Sequence, residues 1–257
     1  MNILVTGSNG YIGSSIKKFF NPTYNITYIN RAVLDLQDSV ATNNFFIDKS
    51  FDVVIHTAVS GGNRLAKEDG NTLDSNLLMY YNLLNNRQHF NKFIHFGSGA
   101  EFFKPPTMYG LSKQVIFNSI LEKDNFYNIR IYGVFNEDEL DRRFIKTCIV
   151  NNKTKRNITI TKDKLMDFIY MEDLLNLIKY YIANDDMPKS IDCTYKKTYK
   201  LTEIAKFINN LDNKVDIIIS KPGLDEYCGK YNPFLEKINY IGLKEGIIKT
   251  YNKIVAL

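Results

Sequence analysis

In the first half of the chain, short runs of consecutive apolar residues alternate with longer stretches in which apolar positions recur every three or four residues. The runs are Ile3-Leu4-Val5, Asn25 to Ile29, Phe51 to His56 and Phe93 to Phe96. Uninterrupted apolarity over so few residues reads as strands buried on both faces of a parallel sheet. Tyr11 to Phe20, and the series Leu73, Leu77, Tyr80 or Tyr81 and Leu84, have helical spacing and predict helices that cover the sheet. The alternation predicts an α/β fold built on a doubly wound parallel sheet. The second half is less regular. It predicts a helix over Glu137 to Ile149 bearing Arg142-Arg143, a short strand Ile158 to Ile160, and Phe168 to Tyr170 leading into a helix through Tyr181. Ile191 to Cys193, a helix around Ile204 to Leu211, a strand Val215 to Ile219 and a terminal segment Leu243 to Ile254 follow. These predict a smaller α/β lobe in the C-terminal half. The expected boundaries are 1–135 for the sheet domain, with 165–188 returning to it, and 136–164 plus 189–257 for the lobe.

Composition narrows the class. A length of 257 residues suits one large domain or a domain plus a lobe, and can bury a sizeable core. A charged fraction of 24% and a hydrophobic fraction of 44% exclude wholesale disorder. Cys148, Cys193 and Cys228 lack metal-ligand or redox spacing, and their odd number argues against a disulfide framework. No signal pattern or long apolar run is visible, so the expectation is a cytoplasmic protein without a membrane partner. The net charge of +5 comes from dispersed Lys and Arg that read as solvated faces, not as a nucleic-acid surface, although a positive field would help collect an anionic ligand.

The first apolar run ends in Thr6-Gly7-Ser8-Asn9-Gly10-Tyr11-Ile12-Gly13. Glycines between a strand and a helix are the Rossmann arrangement for a dinucleotide. Gly7 allows the tight turn, Gly10 the close approach of backbone to a pyrophosphate, and Gly13 the packing of helix on strand. The N–H groups at the start of the helix, around Asn9 to Gly13, then face the phosphates. The second run closes at Asn30-Arg31, where such folds often place an acid that repels a ribose 2′-phosphate. Arg31 favours NADP(H) over NAD(H), unless it is a plain surface arginine. In Leu34-Asp35-Leu36, Asp35 can meet the adenine amino group or can cap a turn. The third run leads into Thr57-Ala58-Val59-Ser60, small residues at a strand's carboxyl end that let a flat cofactor lie against the backbone.

The fourth run ends in Gly97-Ser98-Gly99-Ala100, which puts Ser98 at a carboxyl end too, as a site hydroxyl or as a turn serine. Tyr109 and Lys113 stand four apart in a segment that reads as helical from Met108, so phenol and ammonium share one face. A cation beside a tyrosine favours the phenolate and moves its pKa down from about 10, towards exchange at working pH. His56 and His95 lie within apolar runs and His89 at a helix end. All three read as structural, and no cluster of His, Cys and Asp suggests a metal.

Together, the glycine fingerprint, Asp35-Leu36, Thr57-Ala58, Asn76 and Asn82, Ser98, Tyr109-x-x-x-Lys113, Arg130 in RIYGVFN and the stretch Asp167 to Asp173 resemble the extended short-chain dehydrogenase/reductase family. The order and spacing are closest to its nucleotide-sugar epimerase, dehydratase and 4-ketoreductase branch. The resemblance implies Tyr109 as acid/base, Lys113 as the holder of the nicotinamide ribose and Ser98 as the hydroxyl on the reacting substrate oxygen. It implies a cofactor site that includes Val59 and Asn76 beside the glycine turn, Arg31, Asp35, Leu36, Thr57 and Ala58. It also implies substrate contacts from Ser60, Ser98, Gly99, Ala100, Gly133, Arg142 and Arg143, although the arginine pair also suits a solvated helix face. The implied activity is NADP(H)-dependent reduction of the C4 ketone of a nucleotide-activated deoxysugar or heptose, in surface-polysaccharide precursor synthesis, by a homodimer that joins through two sheet-covering helices. An NAD-dependent 4-epimerase and a catalytically silent dinucleotide-binding protein are the alternatives. Three departures from the family stand out. Ser98 and Tyr109 are only 11 residues apart, where the family has a markedly longer loop. Met166 replaces the arginine that commonly binds the substrate diphosphate, leaving Lys162 or Lys164 as substitutes. Gly99 occupies the position of a catalytic cysteine in the fucose-synthase-like members, which argues against coupled 3,5-epimerisation.

Overall fold

The computed structural model describes residues 1–20, 24–62 and 70–254. The first half alternates as its pattern predicts: β1 (Asn2–Thr6), α1 (Tyr11–Phe20), β2 (Asn25–Tyr28), α2 (Ser39–Phe46), β3 (Phe51–His56), α3 (Gly70–Asn85), β4 (Phe90–Ser98), α4 (Met108–Leu121) and β5 (Phe126–Ile131). After these come β6 (Val134–Phe135), α5 (Phe144–Lys153), β7 (Ile158–Met166), β8 (Ile169–Tyr170), α6 (Met171–Ala183), β9 (Ser190–Asp192), β10 (Tyr199–Lys200), α7 (Leu201–Asn209), β11 (Ile217–Tyr227) and α8 (Leu243–Lys253). No helix among the described residues is long and apolar enough to cross a membrane.

A parallel six-stranded sheet runs in the order β2-β1-β3-β4-β5-β9, so the expected doubly wound α/β architecture is present. The strand order reverses at β1 and β3, whose register places Val5 beside Ile55 and Thr6 beside His56. At such a reversal the connections leave on opposite faces and open a crevice beyond the carboxyl ends of the strands. β1 is apolar because it is central: Ile3, Leu4 and Val5 are fully buried. One side of the sheet packs Leu4, Phe46, Val54, Tyr80, Leu83, Phe93, Ile116, Ile120 and Phe126 into a single core cluster. The Phe93 and Phe126 rings stack with centroids 4.9 Å apart.

The chain divides into two compact units, 1–130 with 178–191 and 131–177 with 192–257. Residues 131–135 and 165–177, expected with the sheet domain, therefore lie in the second unit. There Val134 pairs with Ile169 and Phe135 with Tyr170, and a separate core gathers Phe135, Ile145, Ile149, Met166, Phe168, Tyr170 and Ile204.

Two expectations for the second unit are corrected. The helix expected from Glu137 begins at Phe144, and Arg142-Arg143 precede it with Arg143 extended at the N-cap. The acidic run before it folds back instead: Asn136 Oδ1 accepts from Asp138 N–H, and the Glu139 carboxylate accepts from Lys146 N–H at 3.1 Å. Glu139 thus serves a donor of the first helical turn, and burial pushes its pKa up to about 8. β7 and β11 are much longer than the short strands expected. They pair in parallel from Ile158 beside Ile217 to Met166 beside Tyr227, with a bulge between Lys221 and Leu224. Their polar stretches read as loop, but the Lys162–Asp225 ion pair and the Thr202 Oγ to Asp163 hydrogen bond sustain strand conformation on a half-exposed sheet.

The C-terminal end of α6 depends on a buried lysine of β4. Lys92 Nζ donates to Tyr181 O at 2.9 Å and Asn184 O at 2.7 Å, and lies 3.0 Å from Asp185 Oδ1. A cation there offsets the negative end of the helix and serves carbonyls that lack intrahelical partners. Lys92→Met is expected to cost about 2 kcal/mol in guanidinium unfolding, because buried carbonyls lose their donor. A loss below about 0.5 kcal/mol would mean that water replaces the ammonium.

Candidate active site

The glycine turn begins where β1 ends. Gly7 has φ of +65°, and a Cβ there would lie 2.5 Å from Ala58 N, so the turn meets the start of the β3 loop backbone to backbone. Gly10 N–H donates to Gly7 O at 2.9 Å, and Ser14 N–H to Gly10 O at 2.8 Å. A Cβ on Gly13 would sit 2.5 Å from Gly7 O, so α1 packs directly on the turn. The space beside Gly10 is open apart from Gly7 O. Here a cavity of about 330 Å³ is bounded by Gly7, Asn9 and Gly10 on one side and by Thr57, Ala58, Val59 and Ser60 on another. Its far wall is Ile29 to Arg31 and Leu34 to Gln37, with Ser75 and Met79 reaching in from α3. A bare backbone turn opening a helix, beside a cavity, suits a pyrophosphate.

Side chains on the sheet hold this cradle. Thr57 Oγ donates to Thr6 O at 2.6 Å, and Thr6 Oγ and His56 Nδ1 lie 2.8 Å apart. Asn76 accepts from Ser60 N–H at 2.8 Å and donates to Ser60 O at 2.9 Å and to Ser112 Oγ at 3.0 Å. It is turned to the β3 loop and to α4, and it is its neighbour Ser75 that lines the cavity. Asn82 donates to Leu36 O at 2.8 Å, fixing the loop after β2 from behind. Arg31 and Asp35, given separate tasks by the sequence, form an exposed ion pair at 3.2 Å on the cavity wall. Tyr11 opens α1, and its carbonyl accepts from Ser14 Oγ and Ser15 Oγ. Tyr11, Ile12 and Gly13 are α1's first turn, behind the cavity wall that Gly10 forms. Ser75, Met79 and Gln37 were not singled out from the sequence. The i, i+4 spacing of Ser75 and Met79 is the signal that could have found the first two.

α4 carries Tyr109 and Lys113. Thr107 caps it, accepting from Gly110 N–H at 3.0 Å, which starts the helix one residue before the tyrosine. One turn on, Lys113 is 4% exposed, with Nζ 5.7 Å from the centre of the Tyr109 ring. The ammonium donates to Phe96 O at 2.8 Å and lies 3.5 Å from His95 Nε2. Burial lowers its pKa to about 8, partly opposed by the Glu101 carboxylate. Burial and Lys113 together lower His56 to about 3 and hold His95 well below the usual imidazole value, so both rings are neutral at physiological pH. Ser98 ends β4, and its Oγ accepts from Ala100 N–H at 3.2 Å within the 3-10 turn Gly99–Phe102. A Cβ on Gly110 would lie 2.4 Å from Ala100 O, so α4 rests on this turn despite the short connection, and the Tyr109 ring lies against the loop after β3, where a Cβ on Gly62 would be 3.0 Å from its ring carbons and 3.4 Å from its hydroxyl oxygen.

Gly133, Arg142 and Arg143 belong to the second unit. Gly133 O accepts from Ile169 N–H at 2.8 Å, and both arginines are exposed. Met166, in the position of the family's diphosphate-binding arginine, is 6% exposed and part of the apolar core of that unit.

The chain is 25% identical over 249 residues to CDP-abequose synthase of Yersinia pseudotuberculosis, covering 84% of this chain and 87% of that protein. Among solved structures it is similar to MlghC, a GDP-mannoheptose C4 reductase from Campylobacter jejuni with NADP bound, with a TM-score of 0.74 at 19% identity over 98% of this chain and 97% of that one. It is also similar to the Bordetella bronchiseptica enzyme WbmG in complex with NAD and UDP, with a TM-score of 0.80 at 16% identity over 97% and 93% of the two chains. Residues 3–193 match the model of the NAD dependent epimerase/dehydratase family, and the chain belongs to that family.

Proposed function

We propose that this chain reduces the C4 ketone of a nucleotide-activated deoxysugar or heptose with NADPH, in the making of surface-polysaccharide precursors. The observation that carries the reading is Lys113: a buried ammonium, held by the end of β4, set directly under the ring of Tyr109. The named activities of the relatives, a CDP-sugar synthase and a GDP-heptose C4 reductase, support the substrate class.

In this reading Gly7, Asn9, Gly10 and the first turn of α1 bind the pyrophosphate, Asp35 and Leu36 border the adenine, and Thr57 to Val59 give the flat rings a backbone floor. A bound nicotinamide supplies the hydride. Tyr109 donates a proton to the ketone oxygen, and the Ser98 hydroxyl holds that oxygen as negative charge develops on it. Lys113 has three N–H donors. With one on Phe96 O, it can offer another to the ribose, while its charge steadies the phenol oxygen as the proton leaves. Ser60, Gly99, Ala100, Gly133, Arg142 and Arg143 are the proposed substrate contacts. The enzyme is proposed to work in the cytoplasm as a homodimer through α3 and α4, on which Leu78, Tyr81 and Leu121 are exposed. One observation favours the alternative NAD-dependent 4-epimerase: Asp35 offers a carboxylate beside Arg31, so the wall near the ribose carries both charges.

Three outcomes test the proposal. Tyr109→Phe is expected to lower kcat for NADPH oxidation with a 4-keto nucleotide sugar by about 100-fold or more while leaving NADPH affinity within about threefold. A loss under about tenfold would remove Tyr109 as the proton donor. Lys113 is charged below its pKa of about 8 and neutral above it, so kcat/KM for NADPH should fall as pH rises through about 8. A profile flat from pH 7 to 9 would contradict a role for the ammonium. Arg31→Ala should weaken NADP⁺ binding about tenfold in calorimetry and leave NAD⁺ unchanged, and an equal effect on both would point to the epimerase.

A further inference from the structure

A buried ion pair adjoins this site, and the mechanism above makes no use of it. Glu101 and Arg130 meet at 2.8 Å with side chains 1% and 7% exposed. The second carboxylate oxygen of Glu101 accepts from Ser98 N–H at 2.9 Å. Gly97 makes room for it, since a Cβ there would lie 2.3 Å from that oxygen and 2.7 Å from both polar atoms of the Asn128 amide. The Arg130 guanidinium lies between two rings, 4.7 Å from the centre of Phe102 and 4.9 Å from that of Phe117. Phe102 ends the turn after Ser98, and Phe117 is on the helix that carries Tyr109 and Lys113.

Removing two charges from water costs about what their attraction returns, so a buried pair of this kind is a weak source of stability compared with apolar residues of the same volume. What it supplies is placement. The carboxylate touches the backbone of Ser98, and the guanidinium is held by the turn and by α4. We propose that Glu101 and Arg130 are positioning residues that fix Ser98 at the end of β4 relative to Tyr109. In a chain where Ser98 and Tyr109 are only 11 positions apart, this pair does the work of a longer supporting loop. The proposal rests on Ser98, Tyr109 and Lys113 being the reacting site.

The test compares the full-length chain with Glu101→Gln and with the double variant Glu101→Gln/Arg130→Met, which removes both charges. Amide hydrogen exchange of the peptide containing Ser98 reports placement without any turnover. It is expected to speed up about tenfold or more in the double variant, with the melting temperature within a few degrees of the parent. In NADPH oxidation, kcat should fall about tenfold or more and KM for NADPH should stay within about threefold. Unchanged exchange at Ser98, or faster exchange with kcat within about threefold of the parent, overturns the proposal. If the double variant melts far below the parent, Glu101→Gln alone decides. Its amide oxygen can still accept from Ser98 but the charge that meets Arg130 is gone, so exchange at Ser98 should speed up and kcat fall by about threefold or more with KM for NADPH unchanged, and parent-like exchange and kcat overturn the proposal. If Tyr109→Phe leaves activity intact, the reading of the site fails, and exchange at Ser98 still shows whether the pair holds β4.

Discussion

The arrangement depends on an amine kept away from water. Lys113 sits beneath its own helix against the end of β4, and desolvation works against its charge there. It stays near the boundary between charged and neutral because the protein replaces water with a backbone carbonyl, an imidazole nitrogen and a nearby carboxylate. An amine so balanced can stabilise charge on a neighbouring oxygen far better than one in solvent, since little screening intervenes. The neutral state of His56 and His95 is part of the same balance, because a second cation in that pocket would drive the proton off Lys113.

The sheet supplies the other constraint. Reversal of strand order between β1 and β3 leaves a crevice, and the glycine turn lets backbone from both strands meet at its edge. The hydrogen bonds of Thr57, Asn76 and Asn82 run to backbone atoms of the turns and loops around the crevice. A cavity of this kind is shaped by main chain and held by side chains one layer back, so its form is set by the fold. The second unit has its own core, in which Met166 occupies apolar space that a guanidinium could not share without a partner. Its exposed cations, Arg142 and Arg143, stand before a helix whose first turn is served by Glu139.

Much of this was legible in the chain itself. Continuous apolar runs marked β1 and β3, helical spacing marked α1 to its observed ends, and glycines at positions 7, 10 and 13 announced a turn that admits another backbone. Tyr109 and Lys113 were recognisable as a pair because a helix dictates which residues share a face. Local rules suffice where the controlling interaction is local or where a strand is wholly buried. Boundaries in the second half were less legible because the polar stretches of β7 and β11 become strands through pairing with each other and, for β7, with β10, and because α5 is delayed by a carboxylate folding back from Glu139.

Tertiary structure decided the rest. Nothing in the sequence says that Asn76 turns to Ser60, that Arg31 and Asp35 neutralise each other, or that Arg130 joins Glu101 across 29 residues. Such contacts join positions remote in sequence, or choose one partner among several within reach, and only the packed chain removes the others. The sequence by itself determined the strand and helix pattern and the helical pairing of phenol and amine. The fold decided which charges are buried together, because burial depends on what every other segment leaves exposed.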